Sequence, residues 1–324
     1  MPKHPYGVLD AGHSYEWLQV YLSLKDQYKS SYFFDFLSEY QQSGREQMQN
    51  ALLEQVKLIC PNIILFALYK HEFDPDFITS LQTFSHTFCF FMDDTWRIAH
   101  VKKYALCFSA FSTTSHIGEI TYKEIGLKHA NFLPDGVNTD LFQCRNQSRD
   151  IDISFIGSWH AQRQWIVNRL RKAGLNISTY GSRWPKQSLS LNEMIDVLNR
   201  SKISLNLSNS TSWDCRYFLQ YPRGIINTFR SHKKGEQIKG RHFEIPACGA
   251  MQISFYTPGL GSIFQIDKEI VVFNDIEELI HQVRFYLKYP EERERIAQAG
   301  YERTMREHNY PQRFEALFRK LGWL

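Results

Sequence analysis

Short apolar runs alternate with amphipathic stretches along most of the chain. Within the stretch 62–67, residues 63–67 are all apolar, as in strands buried on both faces, and the stretch 47–59 before it carries apolar residues at helical spacing. Alternation of this kind predicts parallel sheets that are covered by helices on both faces. With 324 residues, the chain is long enough for two such domains, each with a core of its own.

Two series of alternating strands and helices define the predicted domains. The expected strands are 6–9, 31–36, 62–67, 87–92, 105–111 and 131–133 in the first series, and 151–156, 176–180, 203–207, 251–255 and 269–273 in the second. A polar segment, 143–150, separates the two series. We therefore predict an N-terminal domain 1–142, a linker 143–150, a second domain 151–308 and a C-terminal helix 309–324.

Composition narrows the class of protein. Hydrophobic residues make up 43% of the chain and charged residues 22%, as in soluble globular proteins, and a net charge of +4 is too weak to indicate nucleic acid by itself. No apolar run approaches the ~20 residues that cross a bilayer, and no signal-peptide pattern is present, so a cytoplasmic protein is expected. The six cysteines lack disulfide or zinc spacing, and most are expected to be buried and reduced.

Residues 239–250 concentrate charge in one short predicted helix. Lys239 and Arg241 lead into the helix, so its positive end and two cations point at one place, where a diphosphate would fit. Glu244, one turn further along, has the chemistry to accept hydrogen bonds from the vicinal hydroxyls of a ribose. Gly249 would end the helix before the strand 251–255.

A second phosphate-binding pattern follows the strand 151–156. Gly157 and Ser158 form a strand-to-helix turn, where backbone N–H groups can approach an anion. Arg163 lies a few residues further on and would point at the same anion. Phosphate-binding loops of the ATPase and dehydrogenase types are missing from the sequence.

These segments are similar to motifs of GT-B glycosyltransferases and, within that fold, of the CgeB-like group 1 family. The resemblance extends to the turn-rich stretch 133–142, to the Asp93-Asp94-x-Trp96 block and to residues 310–313. Many retaining members of the fold carry two glutamates separated by seven residues, the spacing of Glu236 and Glu244. The resemblance implies two Rossmann-like, doubly wound α/β domains that face each other across a cleft, with the last helix packed back on the first domain.

The function implied by the resemblance is transfer of a sugar from a nucleotide-diphosphate donor to a glycan, protein or other hydroxyl acceptor. Lys239 and Arg241 would act as catalytic groups that stabilise the departing diphosphate without a metal ion, and retention of configuration is expected. The second domain would bind the donor through a larger set: Gly157, Ser158, Arg163, Glu236, Lys239, Arg241, Glu244 and Gly249.

The first domain would then bind the acceptor. Asp93 and Asp94 follow the expected strand 87–92, and the carboxyl ends of parallel strands face the crevice where ligands bind. Asp94 is the candidate catalytic carboxylate, although either aspartate could instead cap the helix that follows. His13 resembles a loop residue near the donor phosphates and the acceptor, or it is an exposed loop histidine. Two adjacent aspartates without further ligands nearby do not predict a metal site.

Residues 208–237 form a long insertion, which we predict to be irregular. Aromatic and basic residues are mixed in it and in the residues that follow: Trp213, Arg216, Tyr217, Phe218, Tyr221, Arg223, Arg230, Lys233, Lys234, Lys239 and Arg241. Closure over the donor is the favoured interpretation, with nucleic acid, an anionic glycan and a lipid surface as alternatives. The alternative for the whole protein is a non-catalytic, degenerate transferase fold that binds a glycan or nucleic acid.

Overall fold

The chain divides into two compact units. The computed structural model describes residues 1–8, 12–25, 27–28, 30–145, 147–185, 188–208, 212–230 and 236–324. The first unit consists of Met1–Asn138 and Asn309–Leu324, and the second of Thr139–His308, so the residues predicted as a linker lie in the second unit. Each unit contains a parallel sheet of its own, and the predicted α/β class is confirmed.

The first unit has a four-stranded sheet whose strands follow one another in sequence order. They are β1 (Ile63–Phe66), β2 (His86–Phe90), β3 (Ala110–Thr113) and β4 (Ala130–Phe132), each parallel to its neighbours. A π-helix (Glu16–Tyr21) continues into α1 (Leu22–Lys25), followed by α2 (Phe36–Ile59), α3 (Pro75–Leu81), α4 (Ile98–Tyr104) and α5 (His116–Glu124). The last helix of the chain, Tyr310–Lys320, packs its Phe314 and Phe318 on Phe88 of β2, with ring centroids 6.2 and 5.6 Å apart.

The second unit has a five-stranded sheet in which the strand order reverses. Its strands are β5 (Ile151–Ile156), β6 (Ile177–Tyr180), β7 (Ser201–Asn206), β8 (Met251–Phe255) and β9 (Val271–Phe273), in the spatial order β6-β5-β7-β8-β9. The chain moves from β5 to β6 on one side and then crosses to β7 on the other side of β5. The carboxyl ends of β5 and β7 therefore flank a topological switch point, where open α/β sheets bind ligands.

Seven helices surround this sheet in the described residues: α6 (Ala161–Lys172), α7 (Leu191–Arg200), α8 (Cys215–Gln220), α9 (Arg223–Arg230), α10 (Arg241–Ala247), α11 (Ile276–Lys288) and α12 (Pro290–Glu307). Sequence signals explain where several begin. Ser190 and Glu193 form a capping box at the start of α7, and Asp275 accepts a hydrogen bond from the N–H of Glu278 at the start of α11. The last helix of the chain, Tyr310–Lys320, belongs to the first unit and is called α13.

Two of the predicted strands of the first domain are wrong. Residues Pro5–Gly7 form a 3-10 helix, and Tyr6 and Gly7 have φ angles of 53° and 73°, which a strand does not allow; Leu9 lies outside the described residues. Residues 31–36 do not form a strand either, because Asp35 accepts a hydrogen bond from the N–H of Ser38 (3.4 Å) and caps α2. The expected strand 105–111 begins only at Ala110.

The insertion 208–237 is also corrected, because its described residues 212–230 carry the two helices α8 and α9. Asp214 accepts a hydrogen bond from the N–H of Arg216 and starts α8, a capping signal that the mixed composition concealed. All six cysteines are free, but only Cys89, Cys107 and Cys248 are buried, so the expectation that most of them are buried is wrong. Among the described residues, no helix is long and apolar enough to cross a membrane.

Candidate functional site

Arg163, in the first turn of α6, joins the carboxyl ends of β5 and β7. Its Nη1 donates to the carbonyl of Ser158 after β5 (2.8 Å), and its Nε donates to the carbonyl of Leu207 after β7 (2.9 Å). Nη2 reaches the next carbonyl, that of Ser208, at 3.4 Å. Burial lowers the pKa of Arg163, but a guanidinium keeps its proton at neutral pH. A fixed cation therefore lies at the switch point of the second sheet.

The turns after β5 and β6 lie against each other, and both leave little room for a Cβ at their glycines. A Cβ on Gly157 would lie 2.9 Å from the ring of Phe155, and a Cβ on Gly181, after β6, would overlap the carbonyl of Gly157. The same carbonyl accepts a hydrogen bond from Nε1 of Trp184 (2.8 Å). Ser158, the next residue, is exposed. The turn is thus held in place while its outer face stays open to a ligand.

Lys239, Arg241 and Glu244 lie at the start of α10. Nη1 of Arg241 forms an ion pair with the carboxylate of Glu244 at 2.8 Å, and the two side chains are 24% and 7% exposed. Nζ of Lys239 donates to Oε1 of Gln237 at 3.0 Å. The predicted ribose ligand, Glu244, is thus held by the predicted phosphate ligand, Arg241.

The switch point and the start of α10 are electrostatically connected. The charges of Glu236 and Arg241 both act on Arg163, the first raising and the second lowering its pKa, so the three predicted residues are within electrostatic range of one another. Ser208 links them further, because its hydroxyl donates to the carboxylate of Glu236 and its carbonyl accepts from Arg163. Sequence analysis missed Ser208; its position directly after a strand beside the switch point is the signal that could have found it.

A buried histidine positions the backbone of Lys239. The N–H of Lys239 donates to Nδ1 of His242 (3.0 Å), so the proton of the neutral ring is on Nε2, which contacts the hydroxyl of Ser254 at 3.2 Å. Burial lowers the pKa of His242 to about 4, which keeps the ring neutral at physiological pH. Sequence analysis missed this chain of contacts because Ser254 belongs to β8, twelve residues away.

Gly249 lies at the opposite end of α10 from Arg241. Its φ of 73° is the left-handed conformation that ends a helix, and a Cβ there would lie 2.9 Å from Sγ of Cys144. Its carbonyl accepts a hydrogen bond from Arg149. The contacts of Gly249 are therefore to its own unit's framework, and its predicted role in donor binding stays a prediction.

In the first unit, Asp93 and Asp94 differ sharply in exposure. Asp94 is 1% exposed and accepts hydrogen bonds from the hydroxyl of Thr113 (2.5 Å) and from the N–H of Thr114 (3.2 Å), both at the end of β3. Burial raises the pKa of Asp94, and these hydrogen bonds oppose the rise. Asp93 is exposed, has a φ of 54° and makes no capping hydrogen bond to the helix after it.

His13 is exposed, and its ring lies near those of His4 and Trp17, at centroid distances of 5.3 and 5.9 Å. Within the described residues, no three histidine, cysteine, aspartate or glutamate side chains are grouped as metal ligands would be. The acceptor role predicted for Asp93, Asp94 and His13 remains a prediction.

Two parallel-sheet units of this kind make up the GT-B fold of glycosyltransferases. The structure is similar to sucrose-phosphate synthase from Thermosynechococcus elongatus, with 12% identity, a TM-score of 0.57, and coverage of 86% of this chain and 78% of the other. It is similar to a glycosyltransferase from Rickettsia africae, with 11% identity, a TM-score of 0.58, and coverage of 84% and 79%. It is also similar to HepE from Anabaena in complex with UDP-glucose, with 8% identity, a TM-score of 0.58, and coverage of 86% and 82%.

The sequence comparison agrees with the fold. Residues 162–319 match the family that is described as glycosyl transferase-like. This range begins at the residue before Arg163 and includes all of α10. No curated protein sequence matches the chain significantly.

Proposed function

We propose that the protein is a glycosyltransferase whose second unit binds a nucleotide-diphosphate sugar and whose first unit binds a hydroxyl acceptor. The observation that carries the proposal is the hydrogen-bonded group at the switch point of the second sheet, where Arg163 donates to the carbonyl of Ser208 and the hydroxyl of Ser208 donates to Glu236, with Arg241 in electrostatic range. A crevice of this kind with two arginines is suited to a diphosphate. The match of residues 162–319 to a glycosyl transferase-like family supports the same chemistry.

The ion pair between Arg241 and Glu244 suggests how a donor would be accommodated. When a diphosphate approaches, its oxygens replace the carboxylate as partners of Arg241, and Glu244 becomes available to the ribose hydroxyls. Glu236, held by Ser208, would contact the sugar side of the donor. The ion pair holds Arg241 and Glu244 in place before the donor arrives, and donor binding exchanges this contact for contacts to the diphosphate and the ribose.

The reaction itself needs stabilisation of the negative charge that develops on the departing diphosphate. Arg241 and Lys239, with Arg163 behind them, supply positive charge for this in a partly buried place, where it acts more strongly than in water. We propose that no metal ion is required and that the sugar is transferred with retention of configuration. Asp93, whose carboxylate is exposed, is the better placed of the two aspartates to contact an acceptor, with His13 as a second candidate.

The CgeB-like subtype is part of the proposal on the basis of the sequence motifs alone.

The second candidate function, a degenerate transferase that only binds, is favoured by the exposed loop around His13, which lacks the glycine-rich turn expected beside donor phosphates. An assay for slow hydrolysis of nucleotide sugars distinguishes an active transferase from a protein that only binds. A transferase releases nucleoside diphosphate from its donor in the absence of acceptor, and a binding module does not.

A thermal-shift screen with UDP, GDP, dTDP, ADP and CMP tests donor binding directly, because a ligand of the folded state raises the melting temperature. UDP comes first, since HepE was solved with UDP-glucose. We expect one nucleoside diphosphate to stabilise the protein and to lose its effect in Arg241→Ala. Arg295→Ala, which removes an exposed arginine from α12, is the matched control and should respond like the wild type. No shift with any nucleotide would contradict the proposal.

A further inference from the structure

A patch of exposed apolar side chains lies on the segment 212–230 of the second unit. Trp213, Ile225, Ile226 and Phe229 are 70%, 41%, 53% and 70% exposed. The rings of Trp213 and Phe229 meet edge to face, with centroids 5.4 Å apart, so the patch is continuous between α9 and Trp213, which lies two residues before α8. Single exposed apolar residues are common, but a contiguous group of large ones marks an interaction surface.

The helix α9 presents two different faces. Gly224 and Thr228, one turn apart, face the unit: a Cβ on Gly224 would lie 2.7 Å from the ring of Tyr217, and the hydroxyl of Thr228 donates to the carbonyl of Ser212 (3.4 Å). The opposite face carries the apolar stripe. Two arginines border this stripe: Arg223, three residues before Ile226, and Arg230, four residues after it.

We call Trp213, Ile225, Ile226 and Phe229, together with Arg223 and Arg230, the α9 patch.

The arginines of the α9 patch are not neutralised by the structure. The only acidic residue in the sequence 212–230 is Asp214, which pairs with Arg216 at 2.7 Å. Arg216 is further held by Glu277 of α11. Arg223 and Arg230 are exposed and form no ion pair with any residue that the structure describes. The patch therefore combines apolar surface with uncompensated positive charge.

We propose that the α9 patch docks onto an anionic lipid surface. A helix with an aromatic and aliphatic face bordered by arginines lies in the plane of a membrane, with the apolar face in the headgroup and acyl boundary. Trp213 and Phe229 are residue types that anchor at this depth, and the arginines reach the lipid phosphates beside them. This surface shares no residue with the candidate donor site, and the inference does not depend on the proposed function.

Charge and ring geometry argue against two other occupants. In a two-fold contact between copies of this chain, the patch would face itself, and Arg223 and Arg230 would meet the same cations of the other copy. A single-stranded nucleic acid needs open ring faces on which bases stack. The edge-to-face contact between Trp213 and Phe229 already covers part of one face.

Vesicle flotation with the full chain tests the proposal. We expect the protein to float with vesicles of phosphatidylcholine and phosphatidylglycerol and to stay behind with vesicles of phosphatidylcholine alone. Raising the salt concentration should weaken the binding, because the contribution of the arginines is screened. Equal binding to both kinds of vesicle, or no binding to either, would overturn the proposal.

Variants assign the binding to the patch. Phe229→Asp should reduce the bound fraction by about tenfold or more, because a charge replaces an apolar anchor. Arg223→Gln and Arg230→Gln should each reduce the bound fraction by about fivefold, because each removes one positive charge. Leu58→Asp, at an 85% exposed leucine of α2, is the matched control and should bind like the wild type. All sites are exposed, so melting temperatures should stay near that of the wild type.

Two further outcomes would overturn the proposal in favour of another occupant. The first is a dimer in solution that Phe229→Asp converts to a monomer while vesicle binding is unchanged. The second is binding of a single-stranded oligonucleotide that is lost in Phe229→Asp when no vesicle binding is found. Flotation that Leu58→Asp reduces as much as Phe229→Asp would show that the patch is not the contact.

Discussion

In both sheets a charged side chain joins the carboxyl ends of two neighbouring strands, but the two charges are opposite. Asp94 in the first unit follows β2 and accepts hydrogen bonds from Thr113 and Thr114 at the end of β3. Arg163 in the second unit follows β5 and donates to the carbonyls of Leu207 and Ser208 after β7. The same structural task, holding two strand ends together, is performed once by an anion and once by a cation.

The order of the strands decides what other groups can lie beside Asp94 and Arg163, the two side chains that join strand ends. The described strands of the first sheet run in sequence order, and the carboxylate between β2 and β3 is 1% exposed. In the second sheet the order reverses between β5 and β7, so the connections leave in opposite directions and a crevice opens. At the reversal, Arg163 has the opposite charge of Glu236 and the like charge of Arg241 in electrostatic range. The comparison supports the proposal that the second unit binds the donor.

The largest expected effect is that of Arg163→Ala. It leaves the carbonyls after β5 and β7 without their donor and should cost about 2–4 kcal/mol of unfolding free energy, together with about tenfold or more in nucleotide affinity. Arg163→Lys should restore part of the affinity but little of the stability, because an ammonium lacks the fork that bonds several carbonyls. Urea unfolding and calorimetric titration measure the two quantities. If Arg163→Ala were as stable as the wild type, the guanidinium would not be needed to hold the ends of β5 and β7 together.

The next effect is a dependence on pH that both units share. Burial lowers the pKa of His100 and of His242 from 6.5 to about 4. The unfolded chain takes up a proton below pH 6.5 and the folded chain only near 4, so stability is complete above 6.5 and is lost as the pH falls through this window. For the fully buried His242 the loss is about 2 kcal/mol between about pH 7 and pH 5.

Unfolding at these two pH values, followed by probes of each unit, checks this expectation. His242→Asn should reduce the pH dependence of the second unit alone, and His100→Asn that of the first alone. Asparagine at 242 can still accept the hydrogen bond of the Lys239 N–H. A second unit whose stability stays constant from pH 7 to pH 5 in the wild type would contradict the buried, neutral ring.

A smaller effect separates the two aspartates. Asp94→Ala should cost about 1–3 kcal/mol because Thr113 and Thr114 lose their buried acceptor, and it should leave nucleotide affinity unchanged. Asparagine at position 93 tolerates the left-handed conformation, so Asp93→Asn should have the melting temperature of the wild type. Sugar transfer to the acceptor should fall in this variant. Transfer assays and melting curves of Asp93→Asn and Asp94→Asn, side by side, check this. Loss of transfer in Asp94→Asn alone, with a wild-type melting curve, would move the acceptor role to Asp94.

The smallest effect concerns Gly249. Gly249→Ala strains a residue with a φ of 73° and should cost about 1–2 kcal/mol, with nucleotide affinity unchanged because the residue lies at the far end of α10 from Arg241. Melting temperature and calorimetric titration measure both. A large loss of affinity with a small change in melting temperature would return Gly249 to the donor site.

Part of this architecture could be predicted from the sequence because it depends on local patterns. The strands β5 and β8 match the predicted bounds, since in both of them apolar residues alternate with polar ones between turn residues. The class of fold follows from the alternation of such runs with helices. The false strand at 31–36 shows the limit, because a single capping contact of Asp35 overrode an aromatic run.

The sequence could group candidate site residues only where they lie close together along the chain. Lys239, Arg241 and Glu244 lie within six residues at and just before the start of α10, and their role in donor binding stays a prediction. Ser208 and Ser254 were missed because their partners lie far away in the sequence, Arg163 in α6 and Glu236 for Ser208 and His242 in α10 for Ser254, and no local pattern shows that the fold brings them together. For the same reason the sequence could not show that Asp94 points inward while Asp93 is exposed.

The central claim is that the start of α10 binds the diphosphate of a nucleotide. Calorimetric titration of the Lys239→Ala/Arg241→Ala double variant with the nucleoside diphosphate selected by the thermal screen tests it most directly, with Arg295→Ala as the control. Two charge-assisted contacts, each worth about 1.5–3 kcal/mol, predict a loss of affinity of about 100-fold or more in the double variant and none in the control. A folded double variant that binds the nucleotide as tightly as the wild type would contradict the claim.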